Sequence, residues 1–249
     1  MRKISFLLLI LFFLLAGGIT SRANTELDTD GDSVPDKDEL EIYKTDINNS
    51  DTDNDGYSDW LELNAGYSPL NSLPVKLDDN DHDNDGLSDR MELNFHTDLS
   101  NSDTDADGFS DGDEISKGFN PNKKGEEMLT KRIDISIYAQ RLFYFLGGVL
   151  IFDVPVSSGI YDTTPKGEFK IRNKHPKAWS SYGLWMPYWM AITPDGKYGI
   201  HELPIWPNGY REGADHLGKP VSHGCVRVGT AAAEKIYNLT EVGTPVFIY

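Results

Sequence analysis

The sequence predicts a mainly β (α+β) domain preceded by an elongated, acidic repeat region. Three observations lead there. An aspartate spacing recurs four times before residue 115, short strand-like runs crowd the chain after residue 129, and one helix-like run comes late. Charge divides the chain at the same place. Residues 24–128 carry 30 Asp and Glu against 7 Lys and Arg, whereas residues 129–249 carry 10 against 13. The net charge of -17 therefore belongs to one region, and a chain split in this way has two parts. A nucleic-acid partner is not expected, because the C-terminal excess of basic residues is small and no basic face stands out.

In chain order, residues 1–23 read as an export signal. Arg2 and Lys3 precede the apolar run Ile4 to Leu15, and Ser21-Arg22-Ala23 ends on a small residue suited to cleavage. The rival is an uncleaved anchor, disfavoured because the run is short for a span of roughly 20 residues. Membrane attachment is expected only if the leader stays in place. Either way, the rest of the chain is expected to be exported to the periplasm, cell wall or extracellular space.

Residues 24–122 hold the repeats. The oxygen-bearing side chains are Asp28, Asp30, Asp32, Asp36 and Glu39, then Asp51, Asp53, Asp55, Asp59 and Glu62. The third set is Asp81, Asp83, Asp85, Asp89 and Glu92, and the fourth Asp103, Asp105, Asp107, Asp111 and Glu114. Each set occupies loop positions 1, 3, 5, 9 and 12, the spacing by which a short backbone wraps a hard cation such as calcium. Position 6 must turn sharply; Gly56, Gly86 and Gly108 do so freely, whereas Ser33 must bear the strain. Position 7 (Val34, Tyr57, Leu87 or Phe109) has an apolar side chain that can pack beneath its loop.

Helix-like stubs such as Trp60 to Leu63 and Arg90 to Leu93 follow the loops. The turn-rich intervals between stub and next loop are too short for paired helix–loop–helix hands. These features resemble the thrombospondin type 3 calcium repeats in the form found in bacterial secreted proteins. Structural calcium is the cofactor this implies, in a stalk that needs metal to neutralise its carboxylates.

A linker is expected at residues 123–129, beginning within the polar stretch Asn120 to Glu127. Residues 130–249 then alternate as strands: Arg132 to Tyr138, Arg141 to Leu146 and Val149 to Val154, the last two joined by the hairpin turn Gly147-Gly148. Glu168 to Arg172, Trp185 to Ile192 and Tyr198 to His201 continue the pattern around turns at Thr164 to Gly167 and Pro194 to Gly196. Thr230 to Leu239 reads as the one helix, with Thr230 as its cap.

Chemistry concentrates at Ser222-His223-Gly224-Cys225-Val226-Arg227. Cys225 is the only cysteine, so no internal disulfide accounts for it. A cysteine nucleophile acts as the thiolate, whose pKa a cation or imidazole must lower. His201 is the candidate base, His223 is better placed to orient groups, and Gly224 lets nearby amides approach an oxyanion. Arg227 could hold a carboxylate. The bland alternative is a small buried hydrophobe. His201, His223 and Cys225 are also zinc-ligand types, but structural zinc takes four ligands in compact pairs.

The string Leu217-Gly-Lys-Pro-Val-Ser-His-Gly-Cys-Val-Arg227, with Tyr198-Gly-Ile-His201 upstream, resembles the active-site signature of the L,D-transpeptidase catalytic domain (YkuD-like) family. The resemblance implies a β-rich domain, Cys225 as the acylated nucleophile and His201 as general base held by the Glu202 carbonyl. It also implies an oxyanion pocket at His223, Gly224 and Cys225, Arg227 as a site residue, and no catalytic cofactor. The partner implied is a peptidoglycan stem peptide. Cys225 would attack the carbonyl of its third residue, expel a terminal D-alanine, and pass the acyl group to an amine on a second stem. Two features depart from the family pattern. Glu202 stands where a small residue is usual, and residues 206–215 lengthen the His-to-Cys interval, where they would form a flap.

Ser222, Trp185 and Tyr188 are the expected substrate contacts, with core packing as the rival role for the aromatic residues. Two other functions stay open: an L,D-carboxypeptidase that uses water as acceptor, and a calcium-dependent wall-binding protein with a vestigial catalytic domain.

Overall fold

The structure, a computed structural model, describes residues 26–249. The expected leader lies outside them. Among the described residues, no helix is long and apolar enough to cross a membrane.

Each aspartate loop runs into a short helix: α1 (Asp36–Asp38), α2 (Asp59–Ala65), α3 (Asp89–Phe95) and α4 (Asp111–Lys117). The first widens into a π-helical turn at Glu39–Tyr43. Ser58 and Ser110 start α2 and α4 by accepting the amides of Leu61 and Asp113. Gly66, His96 and Gly118 stop α2, α3 and α4 in the left-handed conformation, where only a short turn can follow. In all four loops the fourth and sixth positions have positive φ, in the pairs Gly31/Ser33, Asn54/Gly56, Asn84/Gly86 and Ala106/Gly108. Ser33, at φ 86, holds the conformation that glycine supplies in the other three loops.

The C-terminal part is one mixed sheet of nine strands: β1 (Lys131–Ser136), β2 (Arg141–Leu146), β3 (Val149–Ser157), β4 (Gly167–Lys170), β5 (Asn173–Trp179), β6 (Trp185–Ala191), β7 (Gly199–Glu202), β8 (Val226–Val228) and β9 (Pro245–Ile248). Their order is β4-β9-β1-β2-β3-β8-β7-β6-β5. Neighbours are antiparallel except for β1/β9 and β7/β8. Gly147 and Gly148 both have positive φ and close the β2–β3 hairpin at the expected place. Two-residue alternation buries Ile133 and Ile135 on β1 and Leu142, Tyr144 and Leu146 on β2. The single longer helix, α5 (Thr230–Leu239), adds Ala233, Ile236 and Leu239 to this core. Gly229 occupies its cap position, so Thr230 is the first helical residue and not the cap.

Strands β5, β8 and β9 are additions to the sequence reading. β5 is an edge strand whose Lys174, His175, Pro176 and Lys177 mask its period while protecting an open edge. β8 has three residues and hides within the cysteine motif. β9 pairs in parallel with a strand more than a hundred residues earlier, which no local pattern announces.

A second apolar cluster joins the two parts. Leu87, Phe95 and Ile115 of the third and fourth repeats pack with Leu146 of the hairpin, flanked by Leu129 and Val149. Position 7 therefore does pack inward at Leu87, and Val34 is buried too, whereas Tyr57 and Phe109 are exposed. The stretch at 123–129 is hydrogen-bonded, not free. The Asn120 amide donates to the Glu127 carbonyl at 2.8 Å, and the Leu129 amide to the Gly118 carbonyl at 2.9 Å.

Truncating Leu146 removes the residue common to both sides of this cluster. Leu146→Ala should lower stability by about 2–5 kcal/mol and destabilise sheet and repeats in one thermal transition, followed by near- and far-ultraviolet circular dichroism. A repeat signal that melts at its wild-type temperature would refute the coupling.

Candidate functional site

In the four loops, one carboxylate oxygen from each of positions 1, 3 and 5 lies within 4.8 Å of the others: Asp28/Asp30/Asp32, Asp51/Asp53/Asp55, Asp81/Asp83/Asp85 and Asp103/Asp105/Asp107. The position-12 glutamates Glu39, Glu62, Glu92 and Glu114 are buried. Asp30, Asp53, Asp83, Asp105 and all four glutamates keep at least one buried oxygen without a hydrogen-bond donor. Such oxygens are costly to bury unless a cation meets them. The donor set is all hard oxygen and fits calcium.

The position-9 aspartates are engaged otherwise. Asp36, Asp59 and Asp111 each accept the amide and hydroxyl of Thr29, Thr52 and Thr104 respectively. Asp89 accepts the His82 amide, the Ser68 hydroxyl and the Asn80 side-chain amide. These four carboxylates brace their loops from within. The loops also associate in pairs: the Trp60 amide donates to Asp32 at 3.0 Å and the Gly112 amide to Asp85 at 2.7 Å.

Burial first, and crowding by like charges second, pushes several carboxyls up. Glu62 reaches about 8, Glu92 about 9, and Asp83 about 6. In Glu39 and Glu114 burial again leads, to about 7 in each.

The second site sits where β7 and β8 run parallel. Their register pairs His201 with Arg227 and puts Cys225 just before β8. His201 Nδ1–H donates to the Glu202 carbonyl at 2.5 Å, which leaves Nε2 bare as a proton acceptor. The Glu202 side chain is buried and ion-paired with Arg211. Trp189, also buried, lies 5.9 Å from the His201 ring. Burial, then the Arg227 charge, depresses His201 to about 3, so its imidazole is neutral.

Burial also pushes the Cys225 thiol up, against smaller opposing effects from a Gly199 backbone hydrogen bond and Arg227. The expected lowered thiol pKa is not found: desolvation outweighs the cation, and the resting group is a thiol beside a neutral base. The thiol points to the Lys197 carbonyl at 3.9 Å.

The turn before β8 explains its residues. Ser222 Oγ donates to the Cys225 carbonyl at 2.5 Å and accepts the Gly224 amide at 3.0 Å, so this hydroxyl clamps the turn. Gly224 has φ +129, and a Cβ there would stand 2.3 Å from Tyr198 Cε1. His223 is exposed and stacks on Tyr182 with 4.3 Å between ring centres.

Cys225 and His201 open on one cavity of about 330 Å³, also lined by Tyr182, Met186, Trp206 and Glu212. Ser222, His223 and Arg227 reach it as well. Trp185 and Tyr188, the expected groove residues, do not. Trp185 packs on Trp179 at 4.7 Å and lies under Lys177, and Tyr188 faces Tyr237 of α5 at 5.5 Å. Met186 takes the cavity side of β6 and its neighbour Trp185 the other, because adjacent strand residues point to opposite faces. Tyr188 would share the side of Met186, but its φ of 52 breaks the alternation. Lys197, Tyr182, Trp206 and Glu212 escaped the sequence reading as individual residues. For the last two, the lengthened His-to-Cys interval was the available signal.

Comparison with known proteins agrees with both halves. Residues 130–248 match the family described as L,D-transpeptidase catalytic domain, and residues 51–66, 81–98 and 103–124 match the bacterial TSP3 repeat. A Bacillus licheniformis protein assigned as the L,D-transpeptidase YkuD is 27% identical over 129 residues, 51% of this chain and 71% of the relative. Bacillus subtilis YciB, assigned likewise, is 27% identical over 124 residues, 47% of this chain and 64% of the relative. Among solved structures, an L,D-transpeptidase from Mycobacterium smegmatis is 21% identical with a TM-score of 0.43, over 50% of this chain and 60% of its own. One from Stackebrandtia nassauensis is 26% identical with a TM-score of 0.41, over 48% and 55%. The chain thus spans less than two thirds of YciB and of both solved proteins.

The raised carboxyls fix how metal-free protein responds to pH. Their folded pKa values of about 7 to about 9 exceed the usual glutamate value of 4.5, so the folded state binds the extra protons. That stabilisation is complete below the unfolded value and is lost as pH rises through the folded ones. Thermal denaturation of chelator-treated protein should therefore show a melting temperature that falls between pH 5 and pH 9. A rising one would contradict the buried, crowded carboxylates.

Proposed function

We infer that this protein is an exported, calcium-stiffened peptidoglycan L,D-transpeptidase, a reading supported by the match of residues 130–248 to the L,D-transpeptidase catalytic domain and of residues 51–66, 81–98 and 103–124 to the bacterial TSP3 repeat. The observation that carries the reading is the His201–Cys225 arrangement. A neutral imidazole with its proton fixed on Nδ1 shares one cavity with the only thiol of the chain.

In the first step the Cys225 sulfur attacks the carbonyl carbon of a stem peptide's third residue while its proton passes to His201 Nε2. Transfer in the attack itself suits a pair that is neutral at rest. Amides of the 223–225 turn face the oxyanion; the Gly224 amide is already given to Ser222, so those of His223 and Cys225 are the donors assigned. The carbon–nitrogen bond then breaks, and His201 returns the proton to the departing D-alanine amine. The thioester passes to an amine of a second stem. Cys225 is only partly buried, so water reaches the same carbon, and hydrolysis, the carboxypeptidase outcome, competes.

Calcium, when bound, would neutralise the loop carboxylates. Asp28, Asp30, Asp32 and Glu39, with their counterparts in the other three loops, are the residues that would hold it. Export follows from the substrate and from the leader-like N-terminus.

Cys225→Ala should abolish the carbapenem adduct seen by intact-protein mass spectrometry, as well as cross-linking of disaccharide-tetrapeptides. His201→Ala should slow acylation by roughly 10²–10⁴-fold. The acylation rate should stay level from pH 5 to pH 8, because His201, depressed to about 3, is neutral throughout; a rise with its midpoint near the ordinary histidine pKa would contradict this. Full cross-linking by Cys225→Ala protein sinks the assignment. Separately, removing calcium with a chelator should lower the melting temperature and the far-ultraviolet signal of the full chain; an unchanged spectrum would dispose of the calcium role.

A further inference from the structure

We propose that Glu212 is a specificity residue for the acyl acceptor, selecting a cationic amine over water at the Cys225 thioester. This rests on the acyl-enzyme reading above. Glu212 belongs to the 206–215 segment between β7 and β8, and it is the one acidic side chain among the described residues lining the cavity. Its carboxylate is fixed on two sides. Trp206 Nε1–H donates to Oε2 at 3.0 Å, and an Arg227 guanidinium N–H donates to Oε1 at 3.3 Å. The segment itself is folded back, with the Glu212 amide donating to the Pro204 carbonyl and the Trp206 amide to the Tyr210 carbonyl, each at 2.8 Å. Ile205 bridges both Trp185 and Arg211.

This is a preorganised carboxylate, and the question is what it faces. A carboxylate has about four lone-pair sites, of which two are taken here. Arg227 is the inner partner, its side chain 8% exposed against 22% for Glu212, so the remaining acceptor sites of Glu212 lie toward the open side. The exposed Trp206 stands beside it. A fixed carboxylate next to an exposed indole recognises an ammonium group and has no comparable preference for water. Buried Arg227, in contact with His216 at 3.4 Å as well, keeps the carboxylate from swinging away.

The chemistry balances. An incoming ammonium held by Glu212 gives one proton to solvent, and the free amine attacks the thioester carbon. The carbon–nitrogen bond forms, the carbon–sulfur bond breaks, and the second nitrogen proton passes through His201 Nε2 to the Cys225 sulfur. Hydrolysis draws on the same thioester without needing Glu212.

The test uses full-length protein, a disaccharide-tetrapeptide donor and a series of concentrations of a second tetrapeptide as acceptor. The readout is the ratio of amide to hydrolysis product, which a general loss of acylation cannot move, since both products leave one acyl-enzyme. Glu212→Gln should lower that ratio about tenfold. Glu212→Asp, which keeps the charge on a shorter arm, should restore it in part, and Trp206→Phe should shift it in the same direction as Glu212→Gln. A ratio equal to wild type in Glu212→Gln overturns the proposal, as does a parallel fall of both products, which would make Glu212 only a support for Arg227. Wild-type protein that acylates at Cys225 yet yields hydrolysis alone at every acceptor concentration also overturns it while sparing the acyl-enzyme reading. Wild-type protein that never acylates overturns both.

Discussion

Everything in the C-terminal domain hangs on the parallel pairing of β7 with β8. Antiparallel neighbours can be joined by two residues, as Gly147-Gly148 joins β2 to β3; parallel neighbours need a long crossover. Residues 203–225 are that crossover, and the sheet forces them to leave one end of the strands and return to the other. The consequence is chemical. The crossover returns into β8 at Cys225, level with Gly199 at the start of β7, and His201 stands only two residues further along that short strand, so thiol and imidazole open on one cavity. The same crossover also has to pass over the cavity they open on, which is why Trp206 and Glu212 line it.

The acidic half obeys a different constraint. Its helices have seven residues at most, too short to hold themselves, and its loops gather carboxylates that repel. Local hydrogen bonds close each loop: position-1 aspartates cap the turn amides, and position-9 aspartates take a threonine hydroxyl in three loops and the Ser68 hydroxyl in the third. What these bonds leave over are the oxygens of positions 3 and 12, buried without donors. Their burial is what raises the glutamates, and it is what a cation relieves. Because Leu87, Phe95 and Ile115 share Leu146 with the hairpin, order in the third and fourth loops is transmitted to the sheet by packing.

Much of this was legible in the residues alone, and the boundary is physical. The four loops were, because ligand spacing is a local property; so was the hairpin, because two adjacent glycines tolerate positive φ at both central positions. Ser33 announced its strain for the same reason. Strand β9 and the parallel β7/β8 pair were not, since pairing between distant segments leaves no local period. Trp185 was misplaced because alternation tells that two faces exist but not which one meets the cavity, whereas Tyr188, at φ 52, leaves the extended conformation and with it the alternation. The thiol's protonation was misjudged on similar grounds: Arg227 is visible two residues from Cys225, whereas the burial that overrules it comes from the whole fold.

Glu202 and the 206–215 segment, two separate departures in the sequence, are one arrangement in the structure. Glu202, the residue after His201, is buried, and alone it would place an unpaired charge beside that histidine. The lengthened segment supplies Arg211 to pair with it, and the next residue, Glu212, pairs in turn with Arg227. Arg227 sits opposite His201 in the strand register. Two adjacent residues of one loop thus grip two strands, the one that carries His201 and the one that Cys225 leads into. Removing the segment while keeping Glu202 would strand a buried carboxylate next to the carbonyl that fixes the His201 tautomer. The loop that covers the cavity is therefore anchored by the Glu202 side chain, and Glu202 in turn depends on that loop for its partner.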